Sequence, residues 1–420
     1  MIGGGIFAVL GVVAEQAGGG APLALAVGGV LAALTASSYA VLSVRYPSRG
    51  GSVVFVDRVF GVRLATGVLN TLLWFGYVVT VALYATAFGN YGGALITGGS
   101  ASSWLLHLLV SAAILVPAAI NLADAAVVAR TETVVVAMKL VILGLVTAAG
   151  LASVEWGRVA PDTWPSLPTT VAAGMLVFVA YEGFELIANA GDDVRDPPRN
   201  LPRALYLAVG FVIVLYILIG VVTVGSLDPR RIAAAADFAL AEAAKPSLGQ
   251  LGFVLVGVAA VLATFSAINA TLYGTARLSY SIALEGELPP DLERRVWSQP
   301  VGLLITAGGA LVLANSVEVA AISSIASAVF LGVFATVNVA AYRVTAGRRG
   351  RRVAAGIGAV ACAVAFVVLE VDAARRRPLA VVVLAVMVVL AVAGETLWLR
   401  HRRRLRLDDG GPGEGAGRAS

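Results

Sequence analysis

The sequence predicts an all-α membrane protein of about twelve transmembrane helices, built from two related halves. Three observations carry that prediction. Of 420 residues, 59% are hydrophobic and 13% charged, and the mean hydropathy is +0.89, whereas a soluble domain carries about 25% charged residues. Apolar runs of about 20 residues, long enough to cross a bilayer core of about 30 Å, recur along the whole chain. Glycines interrupt the first and sixth of these runs. The two lie five apart, and five is odd, so a repeat of segments one to five as six to ten would be inverted in the membrane.

The apolar segments fall at about 1–16, 22–46, 63–96, 103–121, 130–152, 169–191, 203–226, 249–282, 299–315, 319–343, 353–370 and 378–399. The third and eighth exceed the bilayer thickness and should tilt or project beyond it. The first, about 16 residues with three consecutive glycines, is marginal as a span. After the second, GGSVVFVDRVFG (50–61) reads as a short amphipathic helix between glycines. After the seventh, DPRRIAAAADFALAEAA (228–244) offers Asp228 as N-cap and Pro229 at the first helical position before an alanine run. It predicts a short external helix. The basic run RHRRRLR (400–406) flanks the last segment, and the Gly-rich end is expected to be disordered. The chain therefore divides into one transmembrane domain, 1–399, and a cytoplasmic tail, 400–420. Within the domain, repeats span about 1–152 and 169–343, and extra helices lie in 353–399.

Charge sets the expected orientation. Loops after even-numbered segments, together with the tail, carry 21 Lys and Arg residues, and loops after odd-numbered segments carry 7. The positive-inside bias places the even loops and the C-terminus in the cytoplasm. The net charge of +5 is scattered in short membrane-flanking clusters, which argues against a nucleic-acid partner. Cys362 is the single cysteine, so no disulfide framework is available, and His107 and His401 are far apart in sequence. No nucleotide-binding loop, HExxH or haem-attachment motif occurs, so neither an enzyme nor an ATP-driven pump is indicated, and no cofactor is expected. The first segment lacks a basic n-region and does not read as a signal peptide.

Polar residues within the spans locate the candidate site. Segment six, TTVAAGMLVFVAYEGFELIANAG, carries Glu182 and Glu185 near its middle, with Gly183 between them. An ionised group at a helix centre costs about 2.5–3.5 kcal/mol even on the permissive insertion scale. These carboxyls must face water, a partner or a substrate, or else stay protonated and lock helix packing. Lys139 in segment five lies about 13 Å in from Arg130, and Glu185 about 15 Å in from Arg195, so the two groups have similar depth. They are candidates to pair or exchange protons, although equal depth does not establish contact. Gly3, Gly4 and Gly5 in segment one and Gly183 in segment six occupy matching repeat positions. Secondary transporters use such broken helices: half-helix N-termini hold an anionic group, and unwound carbonyls take a cation. Trp74 and Tyr84 read as packing, Phe184 as a ring able to occlude a substrate, and Asn269 as either a helix–helix bond or a cavity lining.

These residues also carry a resemblance. GGGIF is similar to the G-x-G-I-F signature of the amino acid–polyamine–organocation (APC) superfamily of permeases. FVAYEGFELIANAGDDVRDPPRNLPRAL resembles that superfamily's sixth helix and following loop. YPSRGGSVVFVDRVFG resembles its first cytoplasmic loop, and NATLYGTARLSYSIALEGELP its eighth helix. The resemblance implies a 5+5 inverted-repeat (LeuT-like) fold with two extra C-terminal helices and a central site between helices one, three, six and eight. It implies that the backbone at Gly3, Gly4, Gly5 and Ile6 binds a substrate carboxylate. Ala180, Tyr181 and Glu182 would receive the amino group, with Gly183 and Phe184 just beyond. Lys139 matches the helix-five lysine of proton-coupled relatives, and Glu185 the helix-six acid. The superfamily has a further apolar half-helix before its glycine signature. Met1 stands where an internal residue of that helix would be, so the first helix is expected to be N-terminally truncated, with a start upstream. The implied function is proton-coupled, sodium-independent amino acid transport by alternating access in the cell membrane. Exchange, sodium symport, or a non-transporting sensor or subunit are the alternatives.

Overall fold

The computed structural model describes residues 1–48, 50–123, 128–188, 194–284, 295–296 and 299–408, with side chains described except at 123–133, 276–300 and 401–408. The described helices are α1 (Gly4–Ala17), α2 (Ala21–Arg45), α3 (Ser52–Phe60), α4 (Leu64–Thr97), α5 (Ser103–Ala123), α6 (Val128–Leu151), α7 (Leu167–Leu176), α8 (Glu185–Ala188), α9 (Pro197–Ser226), α10 (Pro229–Ala234), α11 (Ala239–Ala243), α12 (Lys245–Leu284), α13 (Gly302–Ser316), α14 (Val319–Val344), α15 (Arg349–Arg376) and α16 (Pro378–Asp408). A two-residue antiparallel ladder pairs Arg295–Val296 with Gln299–Pro300. Arg49, Arg294 and Arg418 of the charge count, residues 189–193 of the sixth-helix motif, and the tail from 409 lie outside the described residues or their side chains.

Every apolar segment has its helix, the sixth as the pair α7 and α8. Among the described residues nine stretches are long and apolar enough to cross a membrane, or ten when that bent pair forms one span. This tally takes Gly4–Arg45 as one 42-residue stretch. A straight helix would separate Gly5 from Gly28 by about 35 Å. Yet a Cβ at Gly5 would stand 2.8 Å from Ala180, and one at Gly28 3.2 Å from the Tyr181 ring. The chain therefore doubles back at the turn Gly18–Gly20, and α1 and α2 are two helices rather than one long span. With 15 residues, α13 is about 22 Å long, too short to cross unaided.

Apolar area alone does not hold helices together in lipid. Close approach at small residues and buried polar bonds does. Gly220 of α9 receives Leu25 of α2, and Gly257 of α12 receives Leu95 of α4. Buried Asn338 on α14 donates to Thr35 (3.0 Å) and accepts from Ser38 (2.6 Å), tying α14 to α2. Asn121 of α5 donates to Asn269 of α12 at 2.6 Å, so Asn269 makes the helix–helix bond. Long α4 runs through the middle of the molecule, packed by α5, α12, α13, α14 and α16.

The loop helix at 50–61 forms as α3. The external stretch forms two short helices rather than one, α10 and α11, separated by a turn at Ala236–Phe238. Phe238 is buried against Phe253, and that anchor outweighs the helical preference of the alanine run. Asp228 caps α10 by accepting from the Arg231 N–H at 3.0 Å, and this hydrogen bond holds its carboxyl below the usual aspartate range. Asp237 is pushed up, first by desolvation and then by the neighbouring Glu15 of α1. This external element lies directly on α1, where Gly11 meets the Ala236 carbonyl.

Candidate functional site

The sixth span breaks where the sequence places Tyr181, Glu182 and Gly183. Helix α7 stops at Leu176, the chain bends by 50° between Leu167–Leu176 and Phe178–Ala188, a 3-10 turn covers Phe178–Tyr181, and α8 resumes at Glu185. Gly183 has φ +102°, a conformation that L side chains rarely adopt. Unwinding frees backbone groups that must find partners in a dry interior. Ser323 and Ser327 of α14 donate to the Leu176 carbonyl at 2.7 and 2.9 Å. Ser327 also accepts from the Val179 N–H at 3.0 Å, and Tyr216 of α9 donates to the Ala180 carbonyl at 3.2 Å.

The first span begins against this break. Gly3 precedes α1, and among the described residues no side chain caps the helix. The first-turn N–H groups of Gly4, Gly5 and Ile6 thus have no intrahelical acceptor, and the helix dipole adds positive potential there. That is the arrangement a carboxylate requires. Bare backbone makes the approach possible: a Cβ at Gly5 would come within 2.8 Å of the Ala180 Cα. The Tyr84 ring lies on Gly4, and Ala267 of α12 lies 3.1 Å from a Cβ built at Gly3. Tyr84 is therefore a wall of this region as well as a packing residue. The glycines of segment one, the break of segment six, and α4 and α12 meet at one place.

Both carboxyls of segment six are buried, Glu182 at 4% and Glu185 at 1% exposure. Thr80 of α4 donates to Glu182 at 2.9 Å. Glu185 accepts from the Gly183 N–H at 2.8 Å and from the Tyr77 hydroxyl at 3.2 Å. Lys139 is buried on α6, but it is not among these partners of Glu185. Helix α6 packs on α12 and α9.

Side chains around the break point in different directions. The Tyr181 hydroxyl donates to the Leu25 carbonyl of α2 at 2.7 Å, so this residue offers the site its backbone while its ring anchors α2. Phe184 is fully buried between Tyr39, 5.3 Å away, and Phe334, 5.2 Å away. Tyr39 in turn hydrogen-bonds Ser52 of α3. Sequence reasoning passed over Thr80, Tyr216, Ser323 and Ser327, and took Tyr77 only as one of the segment-three aromatics that share a helix face with Trp74 and Tyr84. The only signal was the four-residue spacing of Ser323 and Ser327, which puts two hydroxyls on one face of an apolar helix.

Comparison with known proteins gives a consistent picture. A family model described as amino acid permease matches residues 1–398. An uncharacterized protein of Methanocaldococcus jannaschii, MJ0609, is 35% identical over 344 residues, covering 81% of this chain and 79% of its own. The inner membrane transport protein YbaT of Escherichia coli is 33% identical, covering 82% of this chain and 80% of its own. The methylthioribose transporter of Bacillus subtilis is 28% identical over 69% of this chain and 65% of its own.

Proposed function

Because the chain belongs to the amino acid permease family, we propose that it carries amino acids across the cell membrane by alternating access, driven by protons and indifferent to sodium. The contact of Gly5 with Ala180 is the observation that carries this reading. It sets the uncapped N-terminus of α1 beside the unwound backbone of the sixth span. A substrate carboxylate binds the N–H groups at Gly3, Gly4, Gly5 and Ile6, and its ammonium binds the backbone at Ala180, Tyr181 and Glu182. The Glu182 carboxylate adds negative potential, and Phe184 backs the break at Gly183 and separates it from the α3 side. Glu185 and Lys139 serve the coupling proton, each from its own position. The C-terminus lies in the cytoplasm, as the distribution of Lys and Arg requires.

The relative named for methylthioribose favours a second reading, a neutral polar substrate. Such a molecule leaves the α1 N–H groups without an anion. Proteoliposomes containing the chain, loaded to give an inside-alkaline pH gradient, test both. Uptake of a labelled amino acid that needs the proton gradient, persists without Na⁺ and is not competed by methylthioribose is expected. Uptake that needs Na⁺ and survives Lys139→Ala would sink the coupling assignment. Counterflow without a proton gradient would make the protein an exchanger.

A further inference from the structure

Two neighbouring cavities lie along a seam between α2 and α15. The first, of about 590 Å³, lies between α2, α7 and α15. Its walls are apolar, with Leu31 and Leu34 on α2, Met175 on α7, and Val360, Val364 and Val368 on α15. Val360 and Val364 are 65% and 56% exposed, so the cavity opens towards the hydrocarbon around the molecule. The second, of about 160 Å³, begins one turn further along and brings in polar groups: Ser37, Tyr206, Thr345 and Arg351 share its lining with Val41, Ala341 and Ala355. On α15 the two meet between Ala355 and Gly356, and on α2 between Leu34 and Ser37.

We propose that this seam binds an anionic glycerophospholipid, with its phosphate at Arg351 and one acyl chain along α15. Three features fit that occupant. From Gly356 to Val368 the apolar groove runs about 18 Å, against about 15 Å for the hydrocarbon of one leaflet. The polar end lies where a headgroup must lie. Among the described residues Arg351 forms no ion pair, while its neighbour Arg352 stacks on Tyr342 at 4.5 Å and is already engaged. Arg348 and Arg349 at the same helix end add to the positive field. A second copy of the chain would have to fill a narrow channel, which a flexible tail enters and a helix does not. Met175 belongs to the first half of the broken span, so the tail braces the side of α7 that faces away from the substrate region.

Native mass spectrometry of the full chain, released from detergent with phosphatidylglycerol or phosphatidylcholine added, reads the preference directly. Wild type is expected to retain phosphatidylglycerol over phosphatidylcholine. Arg351→Gln should cost about five-fold of that preference, which is what one cation near an anionic surface contributes. Val360→Trp, which fills the groove from its open side, should remove the retained lipid, while Val367→Trp on the adjacent lipid-facing surface should not. A phosphatidylglycerol bearing a photoreactive group in its acyl chain should label peptides containing residues 356–368. Equal retention of the two lipids by wild type, loss of lipid in Val367→Trp as in Val360→Trp, or labelling elsewhere would overturn the proposal. So would a dimer that Val360→Trp dissociates, which would assign the seam to a second copy.

Discussion

Gly183 and Gly5 show how much of the site rests on missing side chains. At Gly183 the positive φ admits glycine readily and other residues at a cost of about 1–3 kcal/mol. Gly183→Ala is expected to keep the protein in the membrane but lower its melting temperature, measured by fluorescence in detergent. Gly5→Ala fails for a different reason, since its methyl would meet the backbone of Ala180. It should abolish uptake while leaving expression intact. Glu185 accepts from the Tyr77 hydroxyl at one oxygen and from the Gly183 N–H at the other, and a Gln keeps the second bond with its oxygen while its amide N–H donates to the Tyr77 oxygen. Glu185→Gln should therefore fold normally and flatten the pH profile of uptake; an unchanged profile would return Glu185 to packing. Residue-level chemistry was partly legible in the sequence. Carboxyls inside an apolar run are conspicuous because they are costly, which singled out Glu182 and Glu185. Their partners were not legible, because Thr80 and Tyr77 are ordinary residues of a long helix, and only the packing of α4 on the break gives them a role.

Among the elements, the broken span depends most on its surroundings. The Leu176 carbonyl takes both hydroxyls of Ser323 and Ser327, so either serine alone leaves it bonded. Ser323→Ala should be mild, Ser327→Ala should cost more because it also strips the Val179 N–H of its acceptor, and the double variant should lose more than the sum, with stability and uptake falling together. A different element gives a pH test. Asp228 caps α10 as a carboxylate, and the fold depresses its pKa. Its contribution is thus complete above the ordinary aspartate pKa and is lost as pH falls through the depressed value. Hydrogen exchange across 229–234 should accelerate at low pH, and Asp228→Asn should remove that dependence. Composition and length made every helix legible, including α3 and the cap of α10. The reversal at Gly18–Gly20 was legible as the gap between segments 1–16 and 22–46, but the splitting of the helix at 228–244 was not, since it is decided by the packing of Phe238 on Phe253.

At the scale of the whole molecule, the first and sixth spans meet at their glycines, and α4 and α12 complete the enclosure. A sequence pattern identified the pair because glycine beside a carboxylate is rare in a membrane helix. The pattern also put Lys139 and Glu185 at similar depth, and depth along two helices does not fix which faces turn together. If both groups serve one proton, Lys139→Ala and Glu185→Gln should each impair proton-driven uptake. The double variant should then equal neither the sum nor the worse single variant.

The meeting of Gly5 with Ala180 has a genetic consequence. The atom that a methyl at position 5 would strike is the Cα of residue 180, at 2.8 Å, while the Ala180 Cβ lies 3.4 Å away. Trimming Ala180 to glycine removes the Cβ and leaves the Cα where it was. Ala180→Gly should therefore fail to suppress Gly5→Ala, and revertants of that variant should restore glycine at position 5 itself.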